Sequence, residues 1–204
     1  MTIPLAVRVG FTLWMVFWVS VVILNQGPRN FLWLCNLAQF VLLYAIWSGN
    51  RLILSSQAGL VTLVGLGWGL DFVAALVLGG RSPTGFTAYM FGEELPLIAR
   101  AVSFYHVGLP VLVLWLIGRG GYDRRGPWVQ SGIGALGVLG TWRFTDPERN
   151  VNWFYELFGR EQVWFPEPLF AGILMVSFPL VLYFPGHGLV LGYLRLVRSR
   201  RRLG

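Results

Sequence analysis

Three side chains able to do chemistry lie in otherwise apolar stretches of this chain: Cys35, Asp71 and His106. Asp71 falls inside an apolar run, 60–78, long enough to cross a bilayer. A carboxylate at membrane depth costs about 2.5–3.5 kcal/mol on insertion scales, so it must face protein or a water-filled cavity. Cys35 is the only cysteine. On a helix it shares a face with Gln39, four residues on, and Asn36 lies three residues before Gln39. His106 is preceded by Tyr105 and followed by Pro110, which deprives the His106 carbonyl of its helical donor.

Two chemistries suit this set. In the first, Cys35 is a nucleophile toward an acyl carbonyl and His106 its base. Asp71 would fix the imidazole, Asn36 or Gln39 would donate to the oxyanion, and Tyr105 would complete the substrate-binding set. In the second, Asp71 and His106 form a proton or cation relay, as in a proton-coupled carrier. Each residue also has a structural reading. Cys35 can be a small packing residue, His106 can tie two helices together, and Asp71 can pair with Arg100 or His106.

The elements that must position these groups are helices in lipid. Of 204 residues, 55% are hydrophobic and 12% charged, with a mean hydropathy of +0.62. Apolar runs recur at 9–25, 31–47, 58–78, 97–117, 128–144 and 169–191. This predicts an all-α membrane protein, a bundle of about six transmembrane helices forming one polytopic domain over 1–204. The first run is longer than a signal-peptide core, and no small-x-small site follows it, so it reads as a retained helix. All 16 basic residues are Arg. Ten of them, including the 195–202 cluster in the basic tail 192–204, fall on one side of this topology. The positive-inside rule makes that side cytoplasmic, together with both termini. The absence of Lys suggests a GC-rich bacterial genome and hence a multi-pass protein of the cell inner membrane.

On this topology the long connections, 79–96 and 145–168, lie outside. Asp146-Pro147 would open a short helix there, as N-cap and first-turn proline. The aromatics after it, including Phe158, would lie along the surface as an interfacial anchor or a lid over the space between the helices. Cys35, Asp71 and His106 would meet in the outer leaflet. His187 lies near the inner end, roughly 10–15 Å from the depth of His106 at 1.5 Å per residue, too far for both to ligate one haem.

A single cysteine excludes an intramolecular disulfide, and no spacing suggests a metal site, so neither metal nor cofactor is expected. The expected partners are membrane lipid and, at the Arg-rich C-terminus, anionic head groups. No base-reading or stacking surface points to nucleic acid. Glycines at 65, 67 and 69 and at 134, 137 and 140 allow close helix approach, within the chain or in an oligomer.

Residues 30–39 (NFLWLCNLAQ) and 104–110 (FYHVGLP) resemble the paired helices of uncharacterised bacterial six-helix integral membrane proteins. More distantly they are similar to the superfamily of androgen-induced-gene fatty-acid-ester hydrolases and YwaF/transmembrane-164 acyltransferases. The resemblance implies Cys35 as nucleophile, His106 as base, and lipid acyl-ester hydrolysis or acyl transfer as the activity. With Phe31-Leu32 and Asn36-Leu37 aligned, the hydrolase threonine falls at Trp33 rather than Cys35. The competing expectations are a non-enzymatic membrane subunit or small-solute or lipid binder, and the proton-coupled carrier.

Overall fold

Helix α3 (Arg51–Val77) is the axis of the molecule. It packs against α2 (Leu34–Ser48), α5 (Tyr105–Gly120), α6 (Gly126–Phe144) and α8 (Phe184–Leu203). From Leu54 to Thr62 every residue of α3 is buried, so this stretch is enclosed on all sides. Such a helix must be apolar or small nearly all round, as it is, and its one large polar side chain, Gln57, is met by Gln130 Oε1 at 2.7 Å. The structure is a computed structural model that describes residues 1–157 and 159–203; the side chains at 198 and 200–203 lie outside the description.

The remaining elements complete a helical bundle. Helix α1 (Leu5–Gln26) leads through a 3-10 turn, Pro28–Leu32, into α2. The short α4 (Leu97–Ala101) runs through a 3-10 turn, Val102–Phe104, into α5. Helix α7 (Glu167–Phe178) passes through a π-helical turn, Pro179–Tyr183, into α8. Pro185 cannot donate the bond its position owes to Val181, which accounts for the loosened winding there. Helical segments thus cover each of the six apolar runs.

Four of these segments are long and apolar enough to cross a membrane: Leu5–Gln26, Arg51–Val77, Leu97–Gly120 and Glu167–Val197. Their outward faces are apolar too, with Leu24, Leu70 and Val77 more than 70% exposed. Water would not tolerate so much exposed hydrocarbon, whereas lipid does. This is a helical membrane protein in its construction.

Glycine brings the helices close where side chains would hold them apart. At the α3–α8 crossing, Gly59 and Gly186 meet backbone to backbone, and a Cβ on Gly59 would lie 2.9 Å from the Tyr183 carbonyl oxygen. Gly137 faces Leu34, and Gly134 faces the Tyr183 ring. The close approach that glycine permits is therefore used within the chain at these positions.

The two ends of the bundle differ. At one end the connections are short. Asn50 caps α3 by accepting from Ile53 N–H at 3.1 Å, Ser55 accepts from Asp123 N–H, and Tyr122 bonds His187 Nδ1 at 2.8 Å. At the other end lie the two long connections. The segment after Asp146 is not a helix. Residues 146–149 form a turn, Asp146 pairs with Arg29, and Val151, Asn152 and Phe154 are buried. A two-residue hairpin, β1 (Glu156–Leu157) with β2 (Arg160–Glu161), follows. Val151 and Phe154 turn into the end of the bundle, Phe154 against Phe170 of α7, whereas Val163, Trp164 and Phe165 stay exposed. Phe158 lies outside the described residues.

Candidate functional site

Beneath the two long connections is a cavity of about 910 Å³. Its rim comes from Asn25, Gln26 and Asn30 beside α1, from Phe86, Tyr89 and Glu94, and from Arg149, Asn152 and Trp153. Its wall comes from the first turns of α2 (Trp33 to Asn36) and α5 (Tyr105, His106). Its floor is apolar: Leu60, Leu63 and Val64 of α3 face Phe178 and Leu182 of the α7–α8 arm. That volume and a mostly apolar lining with a few polar groups are typical of ligand pockets.

Four of the six sequence candidates line this cavity: Cys35, Asn36, Tyr105 and His106. They form a short chain of contacts. Tyr105 donates from its hydroxyl to Asn36 Oδ1 at 2.5 Å, and Asn36 Nδ2 donates to the Asn30 carbonyl at 2.8 Å. The Cys35 thiol lines the same cavity as the Tyr105 hydroxyl. Trp18 packs edge-on to the Tyr105 ring at 6.0 Å and holds it in place.

His106 is fixed separately. Its Nδ1 lies 2.9 Å from the Ser103 carbonyl, an acceptor only, so Nδ1 carries the proton and Nε2 the lone pair. The ring is sandwiched between Trp68, stacked at 5.2 Å and 8°, and Tyr105 at 4.0 Å and 26°. Among the described residues no hydrogen bond occupies Nε2. An imidazole held this way has one tautomer, one orientation and one free basic nitrogen.

Asp71 and Gln39 are elsewhere. Asp71 is buried and accepts five hydrogen bonds from one loop: from the hydroxyls of Ser82 (2.6 Å), Thr84 (2.8 Å) and Thr87 (2.6 Å), and from the N–H groups of Thr84 (2.9 Å) and Thr87 (3.0 Å). Neutral donors, not Arg100 or His106, thus compensate the charge. Asp71 orders the 79–96 loop that supplies Phe86, Tyr89 and Glu94 to the rim. Gln39 accepts from Trp14 Nε1 at 2.9 Å and faces α1.

Neither protein-family models, nor curated proteins, nor solved structures match this chain. The functional reading rests on the geometry.

Sequence reasoning offered 145–168 as an anchor or a lid but passed over Asn152, which holds it. Asn152 accepts from Leu34 N–H at 2.9 Å, capping α2 from 118 residues away. Its Nδ2 donates to the Leu32 carbonyl (2.9 Å) and to Thr141 Oγ1 (2.7 Å). Asn152 has φ of 54°, a left-handed conformation that asparagine tolerates better than most residues. The only sequence signal was the Asn150–Asn152 pair. The two roof segments touch where Phe86 stacks on Trp153 at 4.6 Å. Among the described residues no group of three or more His, Cys, Asp or Glu could hold a metal ion.

Proposed function

We propose that this chain is a six-helix integral protein of a bacterial inner membrane that admits a lipid to its cavity and cleaves or transfers an acyl group. In this reading both termini are cytoplasmic and the cavity opens at the outer leaflet. The 15 residues of α2 cover only about 22 Å, and the preceding 3-10 turn carries that pass toward the outer surface. The observation that carries the reading is the placement of Cys35, Asn36, Tyr105 and His106 between a polar rim and an apolar floor. An ester group lies between polar head and hydrocarbon tail in a lipid, and those four side chains lie at the matching level.

The chemistry follows from the free nitrogen. Nε2 of His106 takes the thiol proton of Cys35, and the sulfur attacks the ester carbonyl carbon. Asn36 Nδ2 or Tyr105 OH turns to the oxyanion. The tetrahedral adduct collapses with cleavage of its C–O bond, and the departing alcohol takes the proton from His106. The resulting thioester is cleaved by water, releasing a fatty acid, or by a second alcohol, completing acyl transfer; either restores the thiol.

Protein reconstituted with phospholipid tests this. Cys35→Ala and His106→Ala should each lower fatty-acid release by about 10²-fold or more. Release unchanged in both variants would sink the enzymatic reading. A second reading, lipid binding without turnover, is favoured by one observation: among the described residues no hydrogen bond joins the Cys35 thiol to His106, whose one bond goes to the Ser103 carbonyl. Lipid retained by the wild type with no product formed is its signature.

A further inference from the structure

The lining of the cavity carries only two formal charges among its described residues, Glu94 and Arg149, and they are opposite. They come from different roof segments and form no ion pair with each other. Arg149 is held in place because one guanidinium nitrogen donates to the Gln26 carbonyl at the end of α1. Among the described residues no hydrogen bond takes its other N–H groups. The first turn of α2 lines the same cavity, but its Leu34 N–H is already taken by Asn152, so the anion-binding charge is that of Arg149. This side of the rim suits an anion.

The other side suits a cation. Glu94 belongs to the same loop as Phe86 and Tyr89, and all three line the cavity. A carboxylate and aromatic rings lining one cavity supply the chemistry that holds an ammonium group, by charge and by the ring faces. A net-anionic head would gain Arg149 but meet Glu94 without a counter-charge.

We propose that the cavity selects a zwitterionic phospholipid, with the phosphate at Arg149 and the ammonium at Glu94, over net-anionic lipids. The proposal rests on the lipid reading above and names its substrate class. It also orders the lipid along the cavity. Phosphate and ammonium sit at the rim, the ester lies beside Cys35 and His106, and a tail lies along Leu63 and Phe178. The primary ammonium of an ethanolamine head and the quaternary ammonium of a choline head share this chemistry. A stronger hold on the ethanolamine head would place hydrogen bonds to Glu94 ahead of the rings.

Native mass spectrometry of the full chain, exchanged into equal mixtures of phosphatidylethanolamine, phosphatidylcholine and phosphatidylglycerol, tests it. The wild type should retain the zwitterionic lipids over phosphatidylglycerol by about fivefold, roughly the effect of one rim charge. Glu94→Gln should abolish that preference while lipid remains bound, and Arg149→Gln should weaken retention of all three. Equal retention by the wild type, or an unchanged preference in Glu94→Gln, overturns the proposal and leaves the lipid reading standing. No lipid retained by the wild type, with Leu63→Trp equally empty, overturns both.

Discussion

Gly65 of α3 lies directly against the carbonyl oxygen of His106, with no room for a Cβ between them. Pro110 has removed the helical donor to that carbonyl, and its ring fills the rest of the contact, with Cγ 2.5 Å from where a Cβ would stand. The cavity wall at His106 is therefore set by α3 backbone. Gly65→Ala should push the start of α5 outward, lowering stability by about 1–3 kcal/mol. Thermal unfolding in detergent reads the stability. A variant as stable as wild type, with unchanged lipid retention, would show that α5 yields without consequence.

Asp71 holds one roof. Replacing it with Asn puts an NH₂ group among donors and removes the charge that strengthens the five hydrogen bonds. Hydrogen bonds to charged groups contribute about 1.5–3 kcal/mol each, though not additively. Asp71→Asn should raise amide exchange across 79–96 by an order of magnitude or more, about 1.4 kcal/mol of local opening energy. Exchange indistinguishable from wild type would mean that the loop has another anchor.

Asn152 holds the other roof. Asn152→Ala loses the α2 cap and two donors and keeps an unfavourable φ, so a loss of about 2–4 kcal/mol is expected. Asn152→Gly loses the same bonds but accepts the conformation, and should melt above Asn152→Ala. The reverse order of melting temperatures would show that backbone strain is not the controlling difference.

At the opposite end, Asp123 receives both the side chain and the backbone N–H of Arg125, which lowers its pKa from 3.8 to about 2. A depressed carboxyl contributes stability above its unfolded value, and the contribution fades as pH falls through the folded one. The wild type should thus lose melting temperature between pH 4 and 2 more steeply than Asp123→Asn, a difference that 1 M salt should reduce. Parallel curves for the two proteins would remove this turn from the account of acid stability.

Much of the scaffold was legible from composition. Apolar runs of the right length reported the helices, and Pro110 marked the His106 carbonyl as lacking its helical donor; that Gly65 packs against it is visible only in the structure. Counting residues along the helices placed Cys35, Asp71 and His106 together, but only Cys35 and His106 line the cavity, and Asp71 bonds the 79–96 loop instead. Rotation of each helix about its axis was not legible, because α2 and α3 are apolar on nearly every face and carry no stripe to orient them. Gln39, on the Cys35 face by spacing, instead meets Trp14 of α1. The roof was harder still, since Asn152 finds its partners from 11 to 120 residues away.

What the sequence alone determined is that the chain is helical and that several of its helices are long and apolar enough to cross a membrane. Both follow from local quantities: the hydrocarbon content of a run and the rise per residue. Tertiary structure decided the partners. It gave Asp71 to Ser82, Thr84 and Thr87, and it gathered Cys35, Asn36, Tyr105 and His106 around one cavity. A buried polar group takes whichever donor or acceptor the packed helices bring to it, and that choice exists only once they have packed.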